Sequence, residues 1–282
     1  MVSAAYGSNI TTDLKVKADQ GDAKAQYELG KIYNKGDGIT LDKNAALKWF
    51  LLAAEQGLAS AQYQLGYMYS AGDGVKVDKM AALKWFKLAA DQNLAEAQFN
   101  LGVYYLNSDD NAAALKWLQL AADQGLAPAQ YSLGVLYHQG EVVEQDDKQV
   151  LKWHSLAAEQ GFAGSQYNLG MIYLNGEGVE PSREIAIKWF QKAADQGFAP
   201  AQYNLGAIYD SGTNSTPDFK LALKWYKLAA EQGYPPAQYN LGLMYLNGEG
   251  VAIDKDEAAK WLQRAADQNF ANPDESLENY GK

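Results

Sequence analysis

Residues 21–56 read GDAKAQYELGKIYNKGDGITLDKNAALKWFLLAAEQ, and the same pattern of residues returns six more times along the 282-residue chain. Its most regular marker is a tryptophan, which recurs every 36 residues apart from one interval of 32. The seven positions are Trp49, Trp85, Trp117, Trp153, Trp189, Trp225 and Trp261. A period of this length is typical of arrays in which each unit is one helix-turn-helix that buries its apolar face only by stacking on its neighbours. The sequence therefore predicts a repeat array whose function lies on an extended surface.

Each unit has the residue types expected at the ends and contacts of two packed helices. Asp42 stands seven residues before Trp49, where a short side-chain oxygen accepts the unpaired amide hydrogens of a helix's first turn. The equivalent predicted N-caps are Asp78, Asp110, Asp146, Ser182, Asp218 and Asp254. Gly30 falls inside the first helix, where glycine costs about 1 kcal/mol relative to alanine, so its recurrence indicates a close approach of the second helix. Glycines at the end of the first helix predict left-handed C-caps, namely Gly36, Gly72, Gly140, Gly176, Gly212 and Gly248.

The unit resembles the Sel-one-like repeat (SLR), a slightly longer relative of the tetratricopeptide repeat. The residues that carry the resemblance are Gln26-Tyr27, Leu29-Gly30, Tyr33, Gly36-Asp37-Gly38, Trp49 and Ala53-Ala54, all of which recur in register. The resemblance implies an all-α fold, a right-handed α-solenoid of about seven helix-turn-helix repeats of 36 residues. It also implies a function as an adaptor or scaffold, since relatives of this kind, many of them bacterial, bind other proteins.

The repeat pattern covers nearly the whole chain and predicts its domain organisation. We expect a flexible N-terminus at residues 1–13 and a single SLR solenoid domain over residues 14–282. That domain would consist of a half repeat at 14–20, seven full repeats at about 21–268 and a C-terminal cap at 269–282, with at least fourteen helices. Between Tyr105 and Asp110 the linker is four residues shorter than elsewhere and lacks the Gly-x-Gly turn. The curvature is therefore expected to change at this point.

Composition narrows the class of partner and the location. The formal charge of −10 and the pI near 4.7 count against nucleic acid as a partner, because phosphate binding needs a basic stripe. No run of 18 apolar residues exists, so no transmembrane segment is predicted. The lack of cysteine excludes the disulfide-stapled branch of the family. Val2-Ser3-Ala4-Ala5 resembles the end of a cleaved signal and the array begins in mid-repeat, so we expect a monomeric periplasmic or secreted protein, with a cytoplasmic location as the alternative.

Candidate catalytic and metal-binding residues are few. His138 is predicted at the solvated end of a first helix, and His154 replaces the phenylalanine found at Phe50 and Phe190, which predicts an imidazole packed in the core. The serine-nucleophile signatures of hydrolases are missing. The acidic turns carry one carboxylate per repeat, fewer than a calcium loop needs. We therefore predict no enzyme activity, no catalytic residue, no metal and no cofactor.

The remaining candidate is the face beside the buried stripe of the first helices, which in tetratricopeptide arrays is the concave groove. In the C-terminal half this face is rich in amides, apolar and nearly uncharged. The predicted ligand-binding residues are Asn168, Met171, Asn175, Asn204, Ala207, Asn240, Leu243 and Asn247. An asparagine amide both donates and accepts, which suits the backbone of an extended peptide. The same amides would equally suit bonds between adjacent repeats, and the sequence leaves both roles open.

These observations favour a non-enzymatic adaptor or scaffold that binds a protein or peptide in the groove of an SLR solenoid, in the bacterial envelope or outside the cell. The alternative is a cell-wall-related small-ligand binder or hydrolase of the penicillin-binding type, which disulfide-bearing relatives suggest. The missing nucleophile signatures count against that alternative.

Overall fold

The computed structural model describes residues 13–212 and 216–270 of the chain. Within those ranges the backbone forms fifteen α-helices and no strand, so the all-α prediction is confirmed. The chain divides into two compact units, residues 1–133 and residues 134–282, and each is described by itself. The single domain over residues 14–282 stays a prediction. Residues 1–12 of the expected flexible N-terminus and residues 271–282 of the expected C-terminal cap lie outside the described part.

The helices alternate as the repeat pattern predicts. Unit 1 contains α1 (residues 13–19), α2 (Ala23–Lys35), α3 (Lys43–Glu55), α4 (Ala59–Ala71), α5 (Lys79–Asp91), α6 (Ala95–Leu106) and α7 (Asn111–Asp123). Helix α8 (Ala127–Gln139) begins in unit 1 and ends in unit 2. Unit 2 continues with α9 (Asp147–Glu159), α10 (Ala163–Asn175), α11 (Arg183–Asp195), α12 (Ala199–Ser211), α13 (Phe219–Glu231), α14 (Pro235–Asn247) and α15 (Lys255–Ala266). Helix α1 is the predicted half repeat, and after it each even-numbered helix opens a repeat that the next odd-numbered helix closes.

The odd-numbered helices begin at the predicted caps. The Asp42 carboxylate accepts from the backbone N–H of Ala45 at 2.9 Å, which satisfies one of the free donors of α3. All six equivalent residues do the same, namely Asp78, Asp110, Asp146, Ser182, Asp218 and Asp254. Most predicted C-caps of the first helices are confirmed, as at Gly36, where φ is 75° and ψ is 28°. Gly212 is an exception, because its ψ of 136° lies outside the left-handed helical region.

The glycine inside each first helix lets the second helix approach closely. A Cβ placed on Gly30 would stand 2.7 Å from the ring of Phe50, a distance that real side chains do not adopt. In unit 2, Gly170 is in the same position against Phe190. Both phenylalanines are fully buried. The predicted packing role of these glycines is therefore confirmed, and their cost to the helix is offset by the burial of an aromatic ring.

A ladder of buried glutamines joins neighbouring repeats. Gln62 of α4 is 4% exposed, and its Nε2 donates to the carbonyl of Ala54 in α3 at 3.1 Å. Its Oε1 accepts from Nε2 of Gln92, the C-cap of α5, at 2.8 Å. The pairs that share this arrangement are Gln26–Gln56, Gln62–Gln92, Gln98–Gln124, Gln166–Gln196, Gln202–Gln232 and Gln238–Gln268. Because a buried amide left unpaired is costly, each ladder step fixes the spacing of three helices.

Candidate functional site

The eight residues predicted to bind a ligand lie on three first helices of unit 2. Asn168, Met171 and Asn175 belong to α10, and the others occupy the equivalent positions of α12 and α14. Asn175 and Asn247 are exposed, and the remaining six residues are half-buried. Each helix thus presents one half-buried amide and one apolar residue a turn further on.

The half-buried amides also join adjacent repeats. Asn204 Nδ2 lies 3.2 Å from Sδ of Met171 in the preceding repeat. Burial raises the pKa of the Tyr167 hydroxyl, and a hydrogen bond with Asn204 partly offsets that rise. Asn168 Nδ2 lies 3.2 Å from Nε2 of His154, and Asn240 bonds the hydroxyl of Tyr226. The connecting role that the sequence left open is therefore present at all three asparagines.

His154 is packed in the core of unit 2, as predicted. It is 1% exposed, and its Nδ1 lies 3.2 Å from Oγ of Ser165, which is fully buried. Burial lowers the pKa of His154 from 6.5 to about 4, and the charge of His138 adds to the effect. His138 itself is exposed, with its Nδ1 3.8 Å from a carboxylate oxygen of Glu177. Since a substrate has no access to Ser165 or His154, this serine–histidine pair serves packing.

Four of the lysines that precede the tryptophans lie over the indole rings. Trp153 is 2% exposed, and Nζ of Lys152 lies 4.0 Å from its ring centroid. Other pairs of the same kind are Lys84–Trp85, Lys116–Trp117 and Lys224–Trp225. A cation over an indole face is attracted by the ring's quadrupole. These lysines therefore support the packing of the second helices.

The structure places a cavity of about 570 Å³ in unit 1, at a site that the sequence did not indicate. It opens between α4, α5 and α6. The lining residues are Tyr67, Ser70, Lys79, Ala82, Leu83, Phe86, Asn100, Val103, Tyr104, Asn107 and Ser108. Tyr67 and Val103 occupy the groove position of Met171 and Ala207, and Asn100 occupies that of Asn204. The cavity is therefore part of the predicted groove face, but in the N-terminal half of the chain.

The shortened linker explains why the cavity is in this repeat. In the preceding repeat, Gly74 of the loop at residues 72–78 packs so closely on Lys43, the first residue of α3, that a Cβ on the glycine would clash with it. In unit 2, Gly178 packs in the same way on Asp147, the first residue of α9. The loop after α6 has only residues 107–110 and lacks this glycine. The equivalent first residue, Lys79 of α5, consequently lines an open cavity. The signal in the sequence was the four-residue gap.

Two classes of site receive no support from the described residues. Among residues 13–212 and 216–270, no three His, Asp or Glu side chains are grouped so that they could hold a metal ion. None of the helices described has the length and apolar character needed to cross a membrane.

Comparison with known families agrees with the repeat structure. Seven segments match the Sel1 repeat, at residues 23–58, 59–94, 95–126, 127–162, 163–198, 199–234 and 235–270. Their boundaries coincide with the helix pairs α2–α3 through α14–α15, and the short third segment contains the four-residue gap.

Two solved structures are similar over almost the whole chain. A Sel1 repeat protein from Oxalobacter formigenes is 36% identical, with a TM-score of 0.76, over 95% of this chain and 79% of its own length. The protein c5321, a protective antigen present in uropathogenic Escherichia coli strains, displays an SLR fold and is 32% identical, with a TM-score of 0.68. That alignment covers 92% of this chain and 64% of the antigen. No protein with a curated description matches the chain.

Proposed function

The chain belongs to the Sel1 repeat family, and we propose that it is a non-enzymatic adaptor that binds a protein or peptide along the groove face of its first helices. Proteins built from such repeats are generally protein-interaction scaffolds. The proposal includes a location in the bacterial envelope or outside the cell, which Val2-Ser3-Ala4-Ala5 supports because small residues of this kind precede cleavage sites.

The observation that carries the proposal is the repeated pairing of an amide with an apolar residue on α10, α12 and α14. Asn204 stands beside Met171 and Tyr167, and each such amide has four hydrogen-bonding positions. The contacts within the described residues occupy at most two of these positions on Asn204. Both contacts use the amide nitrogen of Asn204, so its carbonyl oxygen can accept from a peptide N–H, while Ala207 and Leu243 leave apolar surface for the peptide's side chains.

Removing two of these amides is expected to weaken binding. A probe peptide would be selected from a random display library against the whole chain and its affinity measured by calorimetry. Replacing Asn204 and Asn240 together by alanine should weaken that affinity by about 1 to 3 kcal/mol, because groups in a partly desolvated groove lose their partners. The melting temperature should change little, since alanine's better helix propensity offsets the lost contacts with Tyr167 and Tyr226.

A matched control is available on the other face of the same unit. Gln191 of α11 is half-buried and donates to Asp195 one turn away, so Gln191→Ala should leave the affinity for the probe peptide unchanged. If the asparagine double variant melts well below the parent protein yet binds normally when folded, the amides only connect repeats. The groove of unit 2 would then not be the binding surface.

The alternative of a hydrolase of the penicillin-binding type gains no support from the structure. Such chemistry needs a serine that a substrate reaches. Ser165 is the serine that hydrogen-bonds a histidine here, and both Ser165 and His154 are within the core. The adaptor function therefore remains the one that the geometry favours.

A further inference from the structure

We propose that the cavity of unit 1 is a pocket for a partner peptide that inserts a bulky apolar side chain and places a carboxylate beside Lys79. The proposal rests on the adaptor function and specifies the chemistry of its partner. It follows from three features of the cavity: an amine without the counter-ion that Lys43 has, an apolar wall, and an asparagine side chain that is already held in place.

The amine of Lys79 lacks the carboxylate that its counterpart has. In the preceding repeat, Nζ of Lys43 lies 2.8 Å from the Asp73 carboxylate and 2.8 Å from Oδ1 of Asn34, and its side chain is 29% exposed. Asp73 belongs to the loop after α4, and the equivalent loop after α6 is four residues shorter. Lys79 is exposed, and no carboxylate of the described residues forms a salt bridge with it. A ligand carboxylate would take the place that Asp73 occupies beside Lys43.

The wall of the cavity is apolar and aromatic. Leu83 and Phe86 of α5 face Val103 of α6 across it, and Tyr67, which is 51% exposed, stands at α4. A volume of about 570 Å³ lies within the range of roughly 300 to 1,000 Å³ that ligand pockets occupy, and exceeds what one side chain needs. Lys79 is the only charged residue among those that line it. An apolar side chain next to an acidic group therefore matches this pocket better than a basic or wholly polar ligand does.

One polar side chain on the wall, that of Asn100, is held before a ligand arrives. Burial raises the pKa of the Tyr63 hydroxyl, and a hydrogen bond with Asn100 partly offsets that rise. Asn100 is therefore fixed by a neighbour in the preceding repeat while it lines the cavity. A preorganised wall loses little side-chain entropy on binding, which favours affinity for a short segment.

The test is a titration of the full chain with synthetic peptides, followed by NMR of the Asn100 and Asn107 side-chain amides and the Val103 methyl groups. The probes are acetyl-GSGSF with a free carboxyl terminus, the same peptide amidated, and acetyl-GSEFGS amide. We expect a carboxylate-bearing peptide to bind roughly two to five times more tightly than the amidated acetyl-GSGSF. Replacing the phenylalanine of the peptide by alanine should weaken binding about tenfold or more. If acetyl-GSGSF with its free carboxyl terminus binds more tightly, the carboxylate beside Lys79 comes from a chain terminus. If acetyl-GSEFGS amide binds more tightly, the carboxylate comes from an acidic side chain.

Variants of the chain separate the two parts of the pocket. Lys79→Gln should abolish the preference for the carboxylate, whereas Lys43→Gln, the same change one repeat earlier, should preserve it. Inserting Gly-Asp-Gly-Val after Leu106 restores the usual loop length and should abolish binding. Val103→Trp fills the cavity without changing the backbone and should also abolish binding. It provides the test if the insertion impairs folding.

The proposal is overturned if Lys79→Gln leaves the preference intact, or if Val103→Trp binds the peptides as the parent chain does. NMR chemical-shift changes confined to α10, α12 and α14 would also refute this pocket, while the adaptor function would stand. If a display-selected peptide binds nowhere on the groove face and these probes do not bind either, both proposals fail together.

Discussion

Trp153→Ala is expected to lower the free energy of unfolding by about 3 to 5 kcal/mol, the largest effect of any single substitution considered. The indole is 2% exposed and is covered by Lys152, so its removal leaves a large void in unit 2. Chemical denaturation followed by circular dichroism measures the change. Any binding activity should fall only in proportion to the fraction of unfolded protein.

Two further substitutions check the cause of that loss. No acceptor for the buried Nε1 of Trp153 exists among the described residues, so Trp153→Phe, which keeps a smaller aromatic ring and removes the unpaired N–H, should cost much less than alanine. Trp189 is half-buried, and Trp189→Ala should also cost less than Trp153→Ala. A Trp153→Ala variant that melts like the parent but no longer binds would show that this tryptophan is a surface anchor.

The second large effect is a loss of stability in acid that depends on His154. Well above pH 6.5 the imidazole is neutral in both the folded and the unfolded chain, and no proton is exchanged on folding. As the pH falls from 6.5 towards 4, the unfolded chain binds a proton that the folded chain excludes, because burial lowers the pKa of His154 to about 4. The free energy of unfolding should therefore fall by about 3 kcal/mol over this interval.

Replacing the buried pair isolates this contribution from other groups that titrate in acid. His154→Phe together with Ser165→Ala restores the residues that another repeat of unit 2 has at Phe190 and Ala201. Urea unfolding at pH 7 and pH 4 should show about 3 kcal/mol less destabilisation in the double variant than in the parent protein. An equal loss in both proteins would contradict the assignment to His154.

The features that follow from local residue patterns were the ones that could be predicted. An N-cap such as Asp42 needs only the backbone donors three residues further on, and Gly30 needs only the ring of its own repeat, so both are visible in one period of sequence. The core position of His154 could be predicted because six other repeats show which side chain packs there.

Features that depend on contacts between repeats were missed or left open. The sequence marks Gln62 as recurrent, but it does not show that its side chain donates to the carbonyl of Ala54 in the preceding repeat. The gap after Leu106 was visible and was interpreted as a change in curvature, which stays a prediction. That the absent loop uncovers Lys79 follows only from where Gly74 packs in the preceding repeat. The contact of Asn204 with the preceding repeat likewise required the position of Met171.

The adaptor function requires that a peptide binds the face formed by the even-numbered helices. Photocrosslinking reports the bound face, with a display-selected peptide that carries a benzophenone and mass spectrometry to locate the attachment sites. We expect attachment to groove residues such as Tyr67, Val103, Met171 or Leu243. The odd-numbered helices offer the competing surface, since they expose apolar side chains at Leu88, Leu120, Leu156 and Leu228. Attachment confined to those leucines would contradict the claim.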